Sequence, residues 1–406
     1  MILSICAWSP ADVSTPQDDS ASPSDDESDY PTVTPAEDDP LVASPPSEPP
    51  PISSSSSSGN ILRRFNATSN HEGSITALVY SPNGQLAASG SDDCTLIIWS
   101  ATDKASFLTI MTHTEPISAL AFSADNKTLA SASQSGEIII WDTSTWFDIN
   151  RLTTAAPVQT LAYSTDGSLL LAGTSDGTLE MWDTTAEYAP LSPHKKNTAS
   201  IVFMVFSADG RTMATGGLES GCVVWDVASL SSMEAKSLTI VHPGVAFAAA
   251  LDSNGRRIVT AFDDGSCTVW DTGSGTALVK LYEHALPVWA IAFSPDGRLV
   301  VTGADDGSVK VLDSFSGELK LDLGEHEGMI NAVVFSPDGK LVSAGGADKV
   351  ARLWRVHDGR VELVCNEHIG SVTHVMFSPD GTTLTTGTLH GGVYMRSVVV
   401  VPLNST

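Results

Sequence analysis

The chain has 406 residues, 42% of them hydrophobic, with 48 acidic against 21 basic side chains and a formal net charge of −27. That length can bury a large core, and a field of that sign repels phosphate backbones and anionic lipid, so direct nucleic-acid or membrane binding is not expected. The five cysteines are odd in number and lack CxxC spacing, and no apolar run approaches a membrane span, which points to reduced thiols in an intracellular protein, cytoplasmic and/or nuclear, without metal or other cofactor.

Residues 1–59 are built of Ser, Pro and acid, with eleven Asp or Glu and no Lys or Arg. They hold too little apolar surface to offset chain entropy and are expected to be disordered. Ser9-Pro10, Thr15-Pro16, Ser22-Pro23, Thr34-Pro35 and Ser44-Pro45 suit proline-directed kinases, although a solubilising leader would have the same composition.

From Asn60 to Thr406 the pattern changes to short alternating runs punctuated by turns. In a representative stretch Val288–Phe293 alternates, Ser294-Pro295-Asp296-Gly297 turns and Leu299–Thr302 runs on. Asp305-Asp306-Gly307 turns again before Val309–Leu312, and Glu318–Leu323 makes a weaker fourth strand. The unit repeats: Trp99, Trp141, Trp182, Trp225, Trp270, Leu312, Trp354 and Arg396 follow one another at steps of 41 to 45 residues. A period of this size signals an array of one supersecondary unit. Helical periodicity is absent, and a single four-stranded meander cannot bury both faces alone, so the expectation is an all-β ring in one domain, 60–406.

Within each unit the offsets recur. A histidine lies 28 residues before the closing position at His71, His113, His242, His284, His326 and His368, with Thr154 and Asn197 in the other two units. A hydroxyl lies ten before it at Ser89, Ser131, Thr215, Thr260, Thr302 and Thr386, and an aspartate six before it at Asp93, Asp176, Asp264, Asp306 and Asp348. Trp-Asp closes four units, at Trp141, Trp182, Trp225 and Trp270. This pattern resembles the WD40 family, whose repeats open near Gly-His and close on Trp-Asp. The resemblance implies a β-propeller in which the Asp accepts from the His, the His bonds the hydroxyl and the hydroxyl meets the Trp N–H. Two units keep all four members: His71, Ser89, Asp93 and Trp99, then His242, Thr260, Asp264 and Trp270. A Ser/His/Asp set invites a hydrolase reading, but one repeated beside an indole is expected to hold blades together.

Eight units are expected to give eight four-stranded blades, the ring closed by Ile61–Phe65 in the outer slot of the last blade. Val398–Leu403 could fill the same slot, and seven blades with an appended sheet is the alternative. Family members often dock partners around the channel mouth. Five residues past the histidine position come Thr76, Ser118, Gln159, Val202, Phe247, Trp289, Asn331 and Thr373. With Val245 and Met329 two positions rearward, Val202, Phe247 and Trp289 suggest an apolar arc, and Asp263 and Asp305 add charge beside it. The expectation is a non-catalytic scaffold, a single propeller within a complex, docking a protein segment with an apolar anchor and basic flanks. A plug role for Phe247 and Trp289 is the structural alternative. A partner-sensing propeller of a larger signalling complex is the second functional reading, and a propeller enzyme the least favoured.

Overall fold

The computed structural model describes residues 70–398, except 112, 218–220, 233, 243 and 283. The tail 1–59 and the candidate closing strand Ile61–Phe65 lie outside these residues. So does Val398–Leu403 apart from Val398, which follows the last strand.

The first blade shows how the repeat folds. Its strands are β1 (Ile75–Tyr80), β2 (Leu86–Ser91), β3 (Thr95–Ser100) and β4 (Ala105–Met111), paired antiparallel in chain order. Between β1 and β2 the Ser81-Pro-Asn-Gly turn closes with Gly84 at φ 71°, a conformation that disfavours a β-carbon. Ser81 Oγ accepts from Leu86 N at 2.9 Å and donates to Asn83 Oδ1 at 2.8 Å, so the turn satisfies its own polar groups. Leu96, Ile97 and Ile98 on β3 are all buried, because both faces of the sheet are covered. Ile98 packs with Ile117 and Leu120 of the second blade, while Ile97 packs with Met376 and Val393 of the eighth. Successive residues of one strand thus enter two different inter-blade cores, as the two-residue strand period requires. Each such side chain contributes about 1.5–3 kcal/mol of burial.

The same meander is built eight times, starting at Ile75, Ile117, Val158, Phe203, Ala246, Val288, Ile330 and Val372. Each innermost strand neighbours the next, and the last, Val372–Phe377, neighbours β1. The seam is closed by His71 N donating to Gly391 O at 3.1 Å and by the Tyr80 and Thr385 hydroxyls 2.6 Å apart. The eighth sheet is therefore inside the ring, and the arrangement of seven blades plus an appended sheet is not the one adopted. Its described strands are three, Val372–Phe377, Thr383–Thr388 and Val393–Ser397.

The third and fourth blades depart from the pattern. The outer strand of the third is only Ala189–Pro190, and a long connection carries an isolated bridge between His194 and Leu179 before the fourth blade starts at Phe203. Two single-turn 3-10 segments, Thr184–Ala186 and Val227–Ser229, are the only helical elements among the described residues.

Candidate functional site

The first-blade set is a one-way chain of hydrogen bonds. Trp99 Nε1 donates to Ser89 Oγ at 2.9 Å, so the Ser89 proton is free to go to His71 Nε2, 2.7 Å away. His71 Nδ1 then faces Thr95 Oγ1 at 2.7 Å, and Thr95 Oγ1 donates to Asp93 Oδ1 at 2.6 Å. Asp93 Oδ2 also accepts from Glu72 N at 2.8 Å, tying the β2–β3 turn to the loop that opens the repeat. Burial alone would raise the Asp93 carboxyl, but the hydrogen bonds from His71 and Thr95 hold it well below the usual carboxylate range. Ser89 is fully buried with its oxygen already taken by the indole. Such a hydroxyl cannot reach a substrate.

The other blades vary this chain. In the sixth, His284 Nε2 lies 2.7 Å from Thr302 Oγ1 and Nδ1 2.8 Å from Ser308 Oγ, which donates to Asp306. Burial pushes the His284 imidazole down to about 4. In the second, Ser131 Oγ receives Trp141 Nε1 at 2.9 Å and meets His113 Nε2 at 2.7 Å, with Glu137 3.5 Å from Nδ1. In the fourth, Asn197 stands in for histidine: Thr215 Oγ1 donates to Asn197 Oδ1 at 2.9 Å and accepts from Trp225 Nε1 at 2.9 Å. In the fifth, Trp270 Nε1 donates to Thr260 Oγ1 at 2.8 Å, and His242 packs edge-on against Phe262 and tilted against Trp270. Asp264 is exposed there and accepts from Ser266 N and Oγ, at 2.9 and 2.6 Å. The position four residues before the closing one, Thr95, Glu137, Ser266 and Ser308, is a further member that sequence reasoning missed. Its signal was available as a polar residue at a fixed offset.

The mouth is built by a repeated backbone irregularity. In seven blades the residue five past the histidine position is skipped in the pairing between the two innermost strands. Ile75 pairs Ser91 and Ala77 pairs Gly90, leaving Thr76 unpaired, and Ser118, Gln159, Phe247, Trp289, Asn331 and Thr373 are skipped likewise. A bulge of this kind re-aims its side chain. Thr76 Oγ1 donates to Ile117 O of the second blade, and Asn331 Nδ2 to Val372 O of the eighth at 2.8 Å. Between the fifth and sixth blades the link is aromatic: Phe247 and Trp289 stack with centroids 4.2 Å apart and planes 24° from parallel. Trp289 Nε1 donates to Asp305 Oδ1 at 3.3 Å.

Val202 breaks the series. The regular pairing of the fourth blade's inner strand starts one residue later, at Phe203; Val202 N donates to Gly216 O at 2.9 Å, and Val202 is buried in the core with Phe203 and Phe262. The expected arc therefore loses its fourth-blade end. Val245 and Met329 are half-buried on the loops leading into the fifth and seventh blades. Asp263 is exposed beside the same fifth-blade loop, where a β-carbon on Gly244 would stand 2.8 Å from its Oδ1. In an antiparallel meander these loops and the turns between second and third strands emerge at one end. Exposed Glu72, Asp92, Glu115, Asp263, Asp305 and Glu327 share that face. Among the described residues no cluster of three or more His, Cys, Asp or Glu is placed to hold a metal ion.

Seven stretches, 59–100, 105–142, 149–183, 236–271, 275–313, 317–355 and 359–395, match the family model for the WD domain, G-beta repeat, and together they span well over half of the chain. The chain belongs to the WD40 family.

Two solved structures share the fold. The crystal structure of the computationally designed Ika8 protein superposes with a TM-score of 0.70 at 24% identity, covering 81% of this chain and 98% of that one. That of Chaetomium thermophilum Sqt1 gives 0.72 at 18% identity, covering 83% and 97%. Among curated protein sequences none matches the chain. The WD40 match skips 184–235, the region of the fourth blade, where Asn197 replaces histidine and the connection from the third blade is long. The fourth blade is thus countable in the fold and through Asn197, although the family pattern passes over it. WD40 propellers commonly mediate protein–protein interaction and are typically non-catalytic.

Proposed function

We propose that this WD40 propeller is a non-catalytic scaffold, a single ring within a larger complex, that docks a partner protein segment on the face carrying Phe247 and Trp289. The observation that carries the reading is their stack across the fifth and sixth blades, with Asp305 on the indole N–H. A stacked aromatic pair with Asp263 and Asp305 on the adjacent turns suits a segment with an apolar anchor and Lys or Arg flanks. The exposed carboxylates of that face favour such flanks and disfavour nucleic acid. Cys94, Cys222, Cys267 and Cys365 are free thiols, in keeping with an intracellular site of action, cytoplasmic and/or nuclear.

The test is affinity purification with mass spectrometry on wild type and a Phe247→Ala/Trp289→Ala variant of unchanged thermal stability. Partners lost selectively from the variant are the expected result. Identical partner sets would make the pair a channel plug and overturn the docking role.

A further inference from the structure

The aromatic stack is one end of a longer apolar lane. The connection from Tyr282 to Trp289, described except at 283, joins the fifth blade to the sixth. At its inner end Trp289 meets Phe247, and Asp305 N donates to Pro287 O at 2.8 Å. In its middle, Leu286 lies over the fifth-blade turn, its carbonyl 2.8 Å from where a β-carbon on Gly265 would stand. At its outer end, Tyr282 follows the strand Ala277–Leu281, with Lys280 Nζ 6.0 Å from the ring centroid. Leu286 is 44% exposed and Tyr282 66% exposed. Two large exposed apolar side chains thus stand on the connection that leads to the aromatic stack. Asp263 and Asp305, on the turns at either side of this loop, are both exposed.

We infer that this lane binds an extended, basic peptide segment of a partner protein through two apolar anchors, one on Phe247–Trp289 and one on Leu286–Tyr282. The inference rests on the docking role given above for Phe247 and Trp289. Leu286 and Trp289 are three positions apart, a span of at most roughly 10 Å, so the partner's anchors stand about two to three positions apart in an extended chain. The segment passes the turns that carry Asp263 and Asp305, and charge complementarity makes the residues beside its anchors Lys or Arg. A helix would place anchors on one face at a three- or four-residue repeat, whereas the exposed loop offers a narrow path one strand wide.

The test is selection of a random-peptide phage library on three folded proteins: wild type, Tyr282→Ser/Leu286→Ser, and Phe247→Ala/Trp289→Ala. The expected result on wild type is a motif of two apolar residues two to three positions apart, accompanied by Lys or Arg. The Tyr282/Leu286 variant would reduce it to a single anchor, and the Phe247/Trp289 variant would abolish it. A two-anchor motif that survives unchanged on the Tyr282/Leu286 variant, while the Phe247/Trp289 variant still loses it, overturns the lane and leaves the mouth reading intact. A motif indifferent to both variants, or none at all on wild type, overturns both. Both side chains of the first variant are exposed, so its melting temperature should match wild type and a folding defect is separable from a binding one.

Discussion

His326 and Trp354 meet edge-on in the seventh blade, ring centroids 5.9 Å apart, with His326 Nε2 and Trp354 Nε1 both buried and neither hydrogen-bonded to another described group. In the first, second, fourth and fifth blades a hydroxyl answers the indole N–H from the position ten residues before the Trp. Here that position is Ala344, fully buried. His326 Nδ1 is held by Asp348 at 2.9 Å, so only the inner half of the relay is lost. Ala344→Ser should restore the acceptor and raise stability by about 1 kcal/mol. Urea unfolding of the purified propeller measures this, and a loss of stability would mean that the site is too tightly packed to accept an oxygen.

The two sets that keep all four family residues should respond differently to removal of their aspartate. Asp93 takes bonds from Thr95, His71 and Glu72, and so joins a turn to a loop. Asp264 is exposed and bonded to Ser266 within its own turn. Asp93→Ala should cost about 1–3 kcal/mol, and Asp264→Ala less than about 1 kcal/mol. Because the folded-state Asp93 carboxyl is depressed, its contribution is present above the ordinary carboxylate range and is lost as pH falls. The gap between the two variants, followed by thermal melting, should narrow in acid.

His374 should make the ring acid-sensitive. It sits on the innermost strand of the eighth blade, turned toward the first, at the place where other blades carry Ala77, Ala119, Ala248, Ala290 and Ala332. Burial pushes its imidazole from 6.5 down to about 4, against the opposing hydrogen bond with the Thr76 backbone. Between these values the unfolded chain takes up a proton that the native chain refuses, so stability is full above about pH 6.5 and falls toward pH 4. One fully buried imidazole shifted this far is worth on the order of 3 kcal/mol. His113 and His284, also pushed down to about 4 by burial, act in the same direction. His374→Ala should leave stability at neutral pH near wild type and flatten the acid limb of the melting curve. An acid limb unchanged in slope would assign the sensitivity to the other histidines.

The ring was legible because its signals are periodic. A closing Trp every 42 residues or so, and a turn of Ser-x-Asp-Gly type, report a repeat whatever the packing does between them. The relay was legible only in part. Thr95 and Ser308 stand between histidine and aspartate, yet a Thr or Ser four residues before the closing position looks like an ordinary strand residue until the geometry brings it to Nδ1. Val202 was misplaced for a related reason. Counting from Asn197 assumes the same side-chain direction in every blade, whereas in the fourth the regular pairing begins only at Phe203 and Val202 is buried in the core. The stack of Phe247 on Trp289 was suggested by neighbouring positions, but the donation of the Trp289 indole to Asp305 depends on bulge-directed rotamers that no sequence offset encodes.

Closure of the eighth blade gives the last prediction. Its third strand, Val393–Ser397, is the outermost of this sheet among the described residues, and an edge left open would invite pairing with another chain. Six of the seven family matches, those starting at 105, 149, 236, 275, 317 and 359, begin within two residues of an outer strand: Ala105–Met111, Asp148–Thr153, Ser237–Val241, Ala277–Leu281, Leu319–Glu325 and Val361–Cys365. The remaining match starts at 59, which gives Ile61–Phe65 the same place in the repeat. Deletion of residues 1–58 should therefore leave the melting temperature unchanged, whereas deletion of 1–66 should lower it by several degrees and cause aggregation. Deletion of 399–406 should have little effect. If the C-terminal deletion is the damaging one and removal of 1–66 is harmless, Val398–Leu403 closes the ring instead.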